Sequence, residues 1–76
     1  MRPLYEILAI NIHRARTEGH LSVESLARKA GYPPEFVEKV EKGEIQSLTG
    51  EDVGVFAEAF GVDATDLVRR PDRDDA

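Results

Sequence analysis

Apolar side chains recur at three- and four-residue steps over most of the chain, the spacing of helices that bury one face. The first stripe begins after Pro3 and ends before Gly19, residue types suited to the start and the end of a helix. Its members are Leu4, Leu8, Ile12 and Ala15. The pattern predicts a first helix over this segment.

Two shorter helices follow, joined by a tight turn. Ser22 is a good N-cap for a second helix over residues 23–30, and Gly31 can end it in the left-handed conformation. Proline fixes its own φ and drives the preceding residue out of the α region, so residues 32–34 predict a turn. Pro34 can then open a third helix over about residues 34–42, which stops at Gly43.

The remaining chain predicts two more helices. Thr49 is placed to cap a fourth helix that stops at Gly61, and Asp63 to cap a short fifth one. We therefore expect a compact all-α fold of five helices in one domain over residues 1–70. Residues 71–76 are mostly charged and predict a flexible acidic tail.

Length and composition limit the classes of protein to which this chain can belong. At 76 residues the chain is near the lower size limit for a domain that folds on its own core, and it contains no cysteine for disulfides or a thiolate zinc site. Charged and polar residues interrupt the first apolar stretch, so it predicts neither a signal peptide nor a membrane span. We expect a cytoplasmic protein with no membrane association.

The charge is unevenly distributed. The net charge is -5, made up of +2 over residues 1–32 and -7 over residues 33–76. Proteins that bind DNA neutralise phosphates with basic surfaces, so the acidic total counts against tight non-specific DNA binding. It leaves room for a local basic patch.

The second and third predicted helices have the features of a helix-turn-helix. Two helices that cross steeply need a small residue at the crossing and a turn residue that tolerates positive φ, and Ala27 and Gly31 supply these. Apolar residues occupy the positions that face the partner helix and the core: Leu26, Ala30, Val37 and Val40.

The chain resembles the Cro/C1-type, or lambda-repressor-like, helix-turn-helix family over about residues 8–68. The shared motifs are Leu21-Ser22, Leu26-Ala27, Ala30-Gly31 and Val40-Glu41-Lys42-Gly43. The resemblance implies a transcriptional regulator, such as a repressor, that binds operator DNA as a homodimer. It also implies a structural ion pair between Arg16 and Glu41, which would fix the first helix against the third.

By the same resemblance, the DNA-binding candidates are Ser22, Val23, Arg28, Lys29, Pro34, Glu35, Phe36, Glu38, Lys39 and Lys42. The reading surface departs from the family. Members usually carry a glutamine where this chain has Val23, and polar donors where it has residues 33–36. Proline has no N–H for a phosphate, and glutamate is repelled by DNA unless it accepts from a cytosine amine.

Three questions stay open at the level of sequence. Lys39 is placed either to contact DNA or to pair with Glu35 four residues earlier. Lys42 is likewise placed either to contact a DNA phosphate or to pair with Glu38. Phe36 either supports the turn or contacts a thymine methyl group, with support favoured. The function has an alternative as well: a degenerate helix-turn-helix that binds a basic protein partner through an acidic third helix.

Other chemistry finds little support in the sequence. His13 and His20 lack the spacing and neighbours of a metal site and are interpreted as surface or capping residues. Because no phosphate-binding glycine loop and no nucleophile with a base is present, we predict no catalysis, no cofactor and no metal. Tyr5, Ile7 and Ile10 form a second apolar stripe that fits either extra packing under the fifth helix or a dimer or partner surface.

Overall fold

The computed structural model describes residues 2–70, which form five helices and no strand. In chain order these helices are α1 (Leu4–Glu18), α2 (Val23–Ala30), α3 (Pro34–Glu41), α4 (Gly50–Phe60) and α5 (Ala64–Val68). The described residues therefore have the all-α fold that the pattern predicts. The predicted acidic tail at residues 71–76 lies outside the described part of the chain.

The local signals for α2 and α4 act as predicted. Ser22 Oγ accepts a hydrogen bond from the Ser25 N–H at 3.0 Å, and Gly31 ends α2 with φ at 80°. Thr49 and Asp52 form a capping box at the start of α4, each side chain accepting from the backbone N–H of the other residue. These bonds satisfy N–H groups that have no partner within the helix.

The third helix ends at Glu41, close to the predicted end, and Gly43 follows its C-cap in the left-handed conformation with φ at 75°. One predicted cap differs from the structure. Asp63 lies at the N-cap of α5, but its side chain makes no capping hydrogen bond. Its backbone carbonyl accepts from the Asp66 N–H at 2.9 Å instead, so the turn closes through the backbone.

One hydrophobic core joins all of these helices. α1 packs against α3, α4 and α5, while α2 packs against α3 and α4. The buried members of the core are Leu8, Ile12, Leu26, Ala27, Val37, Val40, Val53, Phe56, Ala57 and Leu67. Because α3 contributes only its inner face to this core, its outer face is left at the surface.

A buried asparagine fastens α5 to α1. Asn11 is 7% exposed, and its Nδ2 donates to Leu67 O and to Arg69 O, both at 2.7 Å. The last carbonyls of a helix lack partners within it, so Asn11 satisfies groups that burial would otherwise penalise. On the second apolar stripe of α1, Ile7 is buried, whereas Tyr5 and Ile10 are partly exposed.

Candidate functional site

The unit formed by α2, α3 and the turn between them is the candidate site. The N–H groups of Gly31 and Tyr32 both donate to Ala27 O, at 2.8 and 3.0 Å, which reverses the chain directly after α2. Ala27 is 1% exposed at this point, so the small side chain lies where the helices approach each other. Pro33 is extended and precedes α3 without offering a side-chain cap.

The inner and outer faces of α3 differ sharply in exposure. Val37 and Val40 are 0% and 1% exposed and pack in the core. Apart from Pro34, charged side chains occupy the exposed positions of α3 and its C-cap: Glu35, Glu38, Lys39 and Lys42. The fold therefore fixes the position of α3 while leaving its charged face free to meet a partner.

An aromatic cluster supports the start of α3. The Tyr32 ring lies 4.7 Å from the Phe36 ring and 5.2 Å from the ring of Phe56, measured between centroids. Phe56 is fully buried, and Phe36 is partly buried against the core. Such tilted pairs are favourable beyond the apolar area they bury. Phe36 thus packs beneath the turn, the first of its two predicted roles.

A hydrogen bond ties the turn to the start of α4. The Tyr32 hydroxyl donates to Asp52 Oδ1 at 2.7 Å, while Asp52 Oδ2 accepts from the N–H and the hydroxyl of Thr49. The bond from Tyr32, followed by those from Thr49, lowers the pKa of Asp52. Burial and the bond to Asp52 raise the pKa of Tyr32 to about 12. Sequence reasoning missed this link, since no spacing relates positions 20 residues apart.

The ion pair that the resemblance implies is present at the other end of α3. Arg16 Nε donates to Glu41 Oε2 at 2.6 Å, and Arg16 Nη2 donates to Oε1 at 3.0 Å. The guanidinium also donates to Leu21 O at 2.9 Å, which ties the loop after α1 to the same pair. The side chains of Arg16 and Glu41 are only 15% and 8% exposed, so the pair is largely shielded from water.

His13 adds a third member to this cluster. Its Nδ1 lies 2.9 Å from Glu41 Oε1, although 55% of the histidine side chain is exposed. Burial alone would raise the pKa of Glu41, but the hydrogen bonds from Arg16 and His13 outweigh it and the net pKa is lowered. The bond to Glu41 raises the pKa of Arg16. The sequence indicated a surface or capping role for His13, and its contact with α3 was missed.

Eight of the ten DNA-binding candidates are exposed: Ser22, Arg28, Lys29, Pro34, Glu35, Glu38, Lys39 and Lys42. The other two, Val23 and Phe36, are partly buried and pack against the core. Ser22 uses its hydroxyl to cap α2. The structure thus places the candidates along α2, the turn and α3, with two apolar members in supporting positions.

The basic candidates are not engaged by acidic neighbours. Within residues 2–70, no ion pair joins Glu35 to Lys39 or Glu38 to Lys42, although each pair has the four-residue spacing. Within these residues, neither Arg28 nor Lys29 forms an ion pair. These side chains retain their capacity to bind an external anion.

Among residues 2–70, no group of three His, Cys, Asp or Glu side chains is placed to hold a metal ion. None of the helices in this range has the length and hydropathy needed to cross a membrane.

Comparisons with known proteins agree with this geometry. A family model described as "Helix-turn-helix domain" matches residues 7–70. Among solved structures, the chain is similar to the crystal structure of the hypothetical transcription factor NHTF from Neisseria, with 30% identity and a TM-score of 0.86. The match covers 93% of this chain and 80% of that one. No curated protein matches the sequence.

Proposed function

Because the chain belongs to the helix-turn-helix domain family, we propose that it is a sequence-specific DNA-binding transcriptional regulator of the Cro/C1 type. In this proposal it is a cytoplasmic repressor that acts as a homodimer on an operator. The half-sites would lie about 34 Å apart, one turn of DNA, so that α3 of each copy enters the major groove on the same side of the duplex. Repression follows from occupancy of the operator.

The observation that carries this proposal is the free, charged outer face of α3. The inner face of α3 packs in the core. On its outer face, Lys39 and Lys42 are exposed without an acidic partner among the described residues. Arg28 and Lys29 extend the basic groups to the end of α2. A lysine ammonium binds phosphate as a point charge and can donate to a guanine edge.

The roles within this face follow from chemistry and position. Lys39 lies in the last turn of α3 and is assigned to a guanine edge or a phosphate, and Lys42 to a phosphate. Pro33 and Pro34 offer no N–H at the start of α3, and Glu35 repels phosphate. The lysines and the end of α2 therefore provide most of the contact with DNA.

A mobility-shift assay at low salt with genomic fragments tests the proposal. We expect retarded species at micromolar protein, and absence of any shift would contradict DNA binding. Lys39→Ala should weaken the shift and, if the lysine contacts phosphate, lower the slope of log K against log salt by about one. The matched control is Arg69→Ala, which removes one positive charge from an exposed side chain next to α5 and should change binding much less.

A second candidate function rests on the acids of the same face. Glu35 and Glu38 are exposed and, within residues 2–70, take part in no ion pair. They could bind a basic protein in place of DNA. Charge reversal separates the two functions: Glu35→Lys with Glu38→Lys should strengthen binding to duplex DNA if α3 enters the groove, and should abolish capture of a basic partner if α3 binds protein.

A further inference from the structure

A cleft lies where the start of α1 meets the end of α3. It has a volume of about 220 Å³. Arg2 and Glu6 line it from the side of α1, and Lys42 lines it from the C-cap of α3. The apolar part of its lining consists of the buried Ala9 and the partly exposed Ile10. We call this surface the α1–α3 cleft.

The cleft brings Arg2 next to a lysine that the proposed function assigns to a DNA phosphate. Arg2 and Lys42 are distant in the sequence, and both are exposed. They line one cleft because α1 packs against α3. The basic groups at the end of α3 therefore continue, on the surface of the folded protein, to the residues that precede α1.

The balance of charge at the cleft favours an anion. Its lining holds two cationic side chains, Arg2 and Lys42, and two carboxylates, Glu6 and Glu41. Glu41 is already paired with Arg16 at 2.6 Å, so the group has three cations against two carboxylates and a surplus of one positive charge. The whole chain, by contrast, has a net charge of -5. A locally positive surface on an acidic protein is where a phosphate can approach.

The ion pair between Arg2 and Glu6 does not prevent a contact with phosphate. Arg2 Nη1 lies 3.6 Å from Glu6 Oε1, and the two side chains are 47% and 40% exposed. Exposed pairs of this kind are weak because water and salt screen them. A guanidinium has five N–H donors in a planar fork, so one side chain can donate to a carboxylate and to a phosphate at the same time.

The end of α3 repels an anion less than a helix end usually does. Unpaired carbonyls at the C-terminus of a helix carry partial negative charge. Here three carbonyls near the end of α3 accept backbone hydrogen bonds at 3.0 to 3.1 Å: Glu38 O from Lys42, Lys39 O from Glu44, and Val40 O from Gly43. The exposed ammonium of Lys42 further opposes the negative end of the helix.

We propose that Arg2 binds a backbone phosphate of DNA at the α1–α3 cleft, beside the phosphate bound by Lys42, an inference that rests on the proposed function. Arg2 lies outside α2 and α3 and is not among the ten DNA-binding candidates. The contact extends the DNA-binding surface to the start of α1. Because a phosphate carries no sequence information, the contact adds affinity and orients the domain on the duplex without reading a base.

Fluorescence anisotropy with two labelled duplexes tests the contact. One duplex is the genomic fragment that the wild type retards most strongly in the mobility-shift assay, and the other has a mixed sequence of the same length. Dissociation constants are measured from about 50 to 200 mM salt. Arg2→Ala should weaken binding to both duplexes about fivefold at about 100 mM salt and lower the slope of log K against log salt by about one.

Glu6→Gln separates a phosphate contact from a purely structural ion pair. If Arg2 only stabilises the start of α1 through Glu6, the two variants lose the same pair and should act alike. If Arg2 binds phosphate, Glu6→Gln removes a competing carboxylate and should tighten binding by about twofold. Both positions are largely exposed, so both variants should fold, which circular dichroism checks.

The matched control is Arg69→Ala. Arg69 is an exposed arginine that pairs with Asp66 on the neighbouring helical turn, much as Arg2 pairs with Glu6, but it does not line the cleft. Its replacement should leave the dissociation constant within about twofold of the wild-type value and the salt slope unchanged.

The outcomes distinguish this contact from the proposed function. An unchanged salt slope in Arg2→Ala, or a Glu6→Gln variant that weakens binding as Arg2→Ala does, would overturn the phosphate contact. If the wild type binds both duplexes equally and Arg2→Ala still lowers the slope, the contact stands and sequence-specific regulation is contradicted. If the wild type prefers the genomic fragment and Arg2→Ala changes nothing, the reverse holds. Binding to neither duplex contradicts both.

Discussion

The two ends of α3 are held by different chemistry. At its last residue, Glu41 receives two hydrogen bonds from Arg16, and both side chains are largely buried. At its start, the neutral hydroxyl of Tyr32 donates to Asp52, whose other oxygen is already bound by Thr49. Removing one partner therefore leaves a buried charge unpaired at the first end. At the second end it leaves a partly exposed carboxylate that still accepts hydrogen bonds from Thr49. The two links should make unequal contributions to stability.

The largest effect is expected from Arg16→Ala. This change leaves Glu41, whose side chain is 8% exposed, without its main partner, and it also removes the bond to Leu21 O. Breaking a buried pair on one side typically costs about 3 kcal/mol. Urea unfolding at neutral pH should show this loss in the free energy of unfolding.

Arg14→Ala is the matched control for this measurement. Arg14 is an exposed arginine on the same helix, and its replacement should change the free energy of unfolding by less than about 0.5 kcal/mol. Equal stabilities for the Arg16→Ala variant and the wild type would show that the pair does not hold α1 against α3.

A smaller effect is expected from Tyr32→Phe. The variant keeps the ring that packs between Phe36 and Phe56 and removes only the hydroxyl that donates to Asp52. Loss of one hydrogen bond of this kind should lower the free energy of unfolding by about 1 kcal/mol. A loss as large as that of Arg16→Ala would contradict the distinction between the two ends of α3.

The wild type and the Tyr32→Phe variant should also differ in how their stability responds to alkaline pH. The pKa of Tyr32 is raised from 10.0 to about 12 in the folded protein, so the neutral phenol contributes stability that is fully present below pH 10 and is lost as the pH rises through about 12. The Phe variant lacks this contribution at every pH. The stability gap between wild type and variant, measured by urea unfolding, should therefore narrow over this range.

The smallest effect is expected from His13→Ala. The histidine contacts the same carboxylate as Arg16, but its side chain is 55% exposed, and such contacts are screened by water. We expect a loss of about 0.5 kcal/mol or less in the free energy of unfolding. A loss close to that of Arg16→Ala would show that Glu41 depends on both partners equally.

Much of the fold and part of the candidate site could be predicted from local sequence. Ser22 and Thr49 cap helices through bonds to residues three positions away, and Gly31 supplies a conformation that depends on its own missing side chain. Short-range interactions of this kind are visible in the sequence itself. The side-chain cap at Asp63 was predicted wrongly, because a backbone bond from the Asp66 N–H to the Asp63 carbonyl closes the first turn of α5.

The sequence by itself determined the helices, the apolar face of each and the charged outer face of α3, because periodicity and capping act over a few residues. The tertiary structure decided which distant side chains meet. Tyr32 binds Asp52 across 20 positions, and Asn11 binds Leu67 across 56, pairs that exist only once the helices have packed at particular angles. It also placed Leu4 and Val68 in the lining of one apolar groove, because residues from opposite ends of the chain become neighbours only when the helices pack.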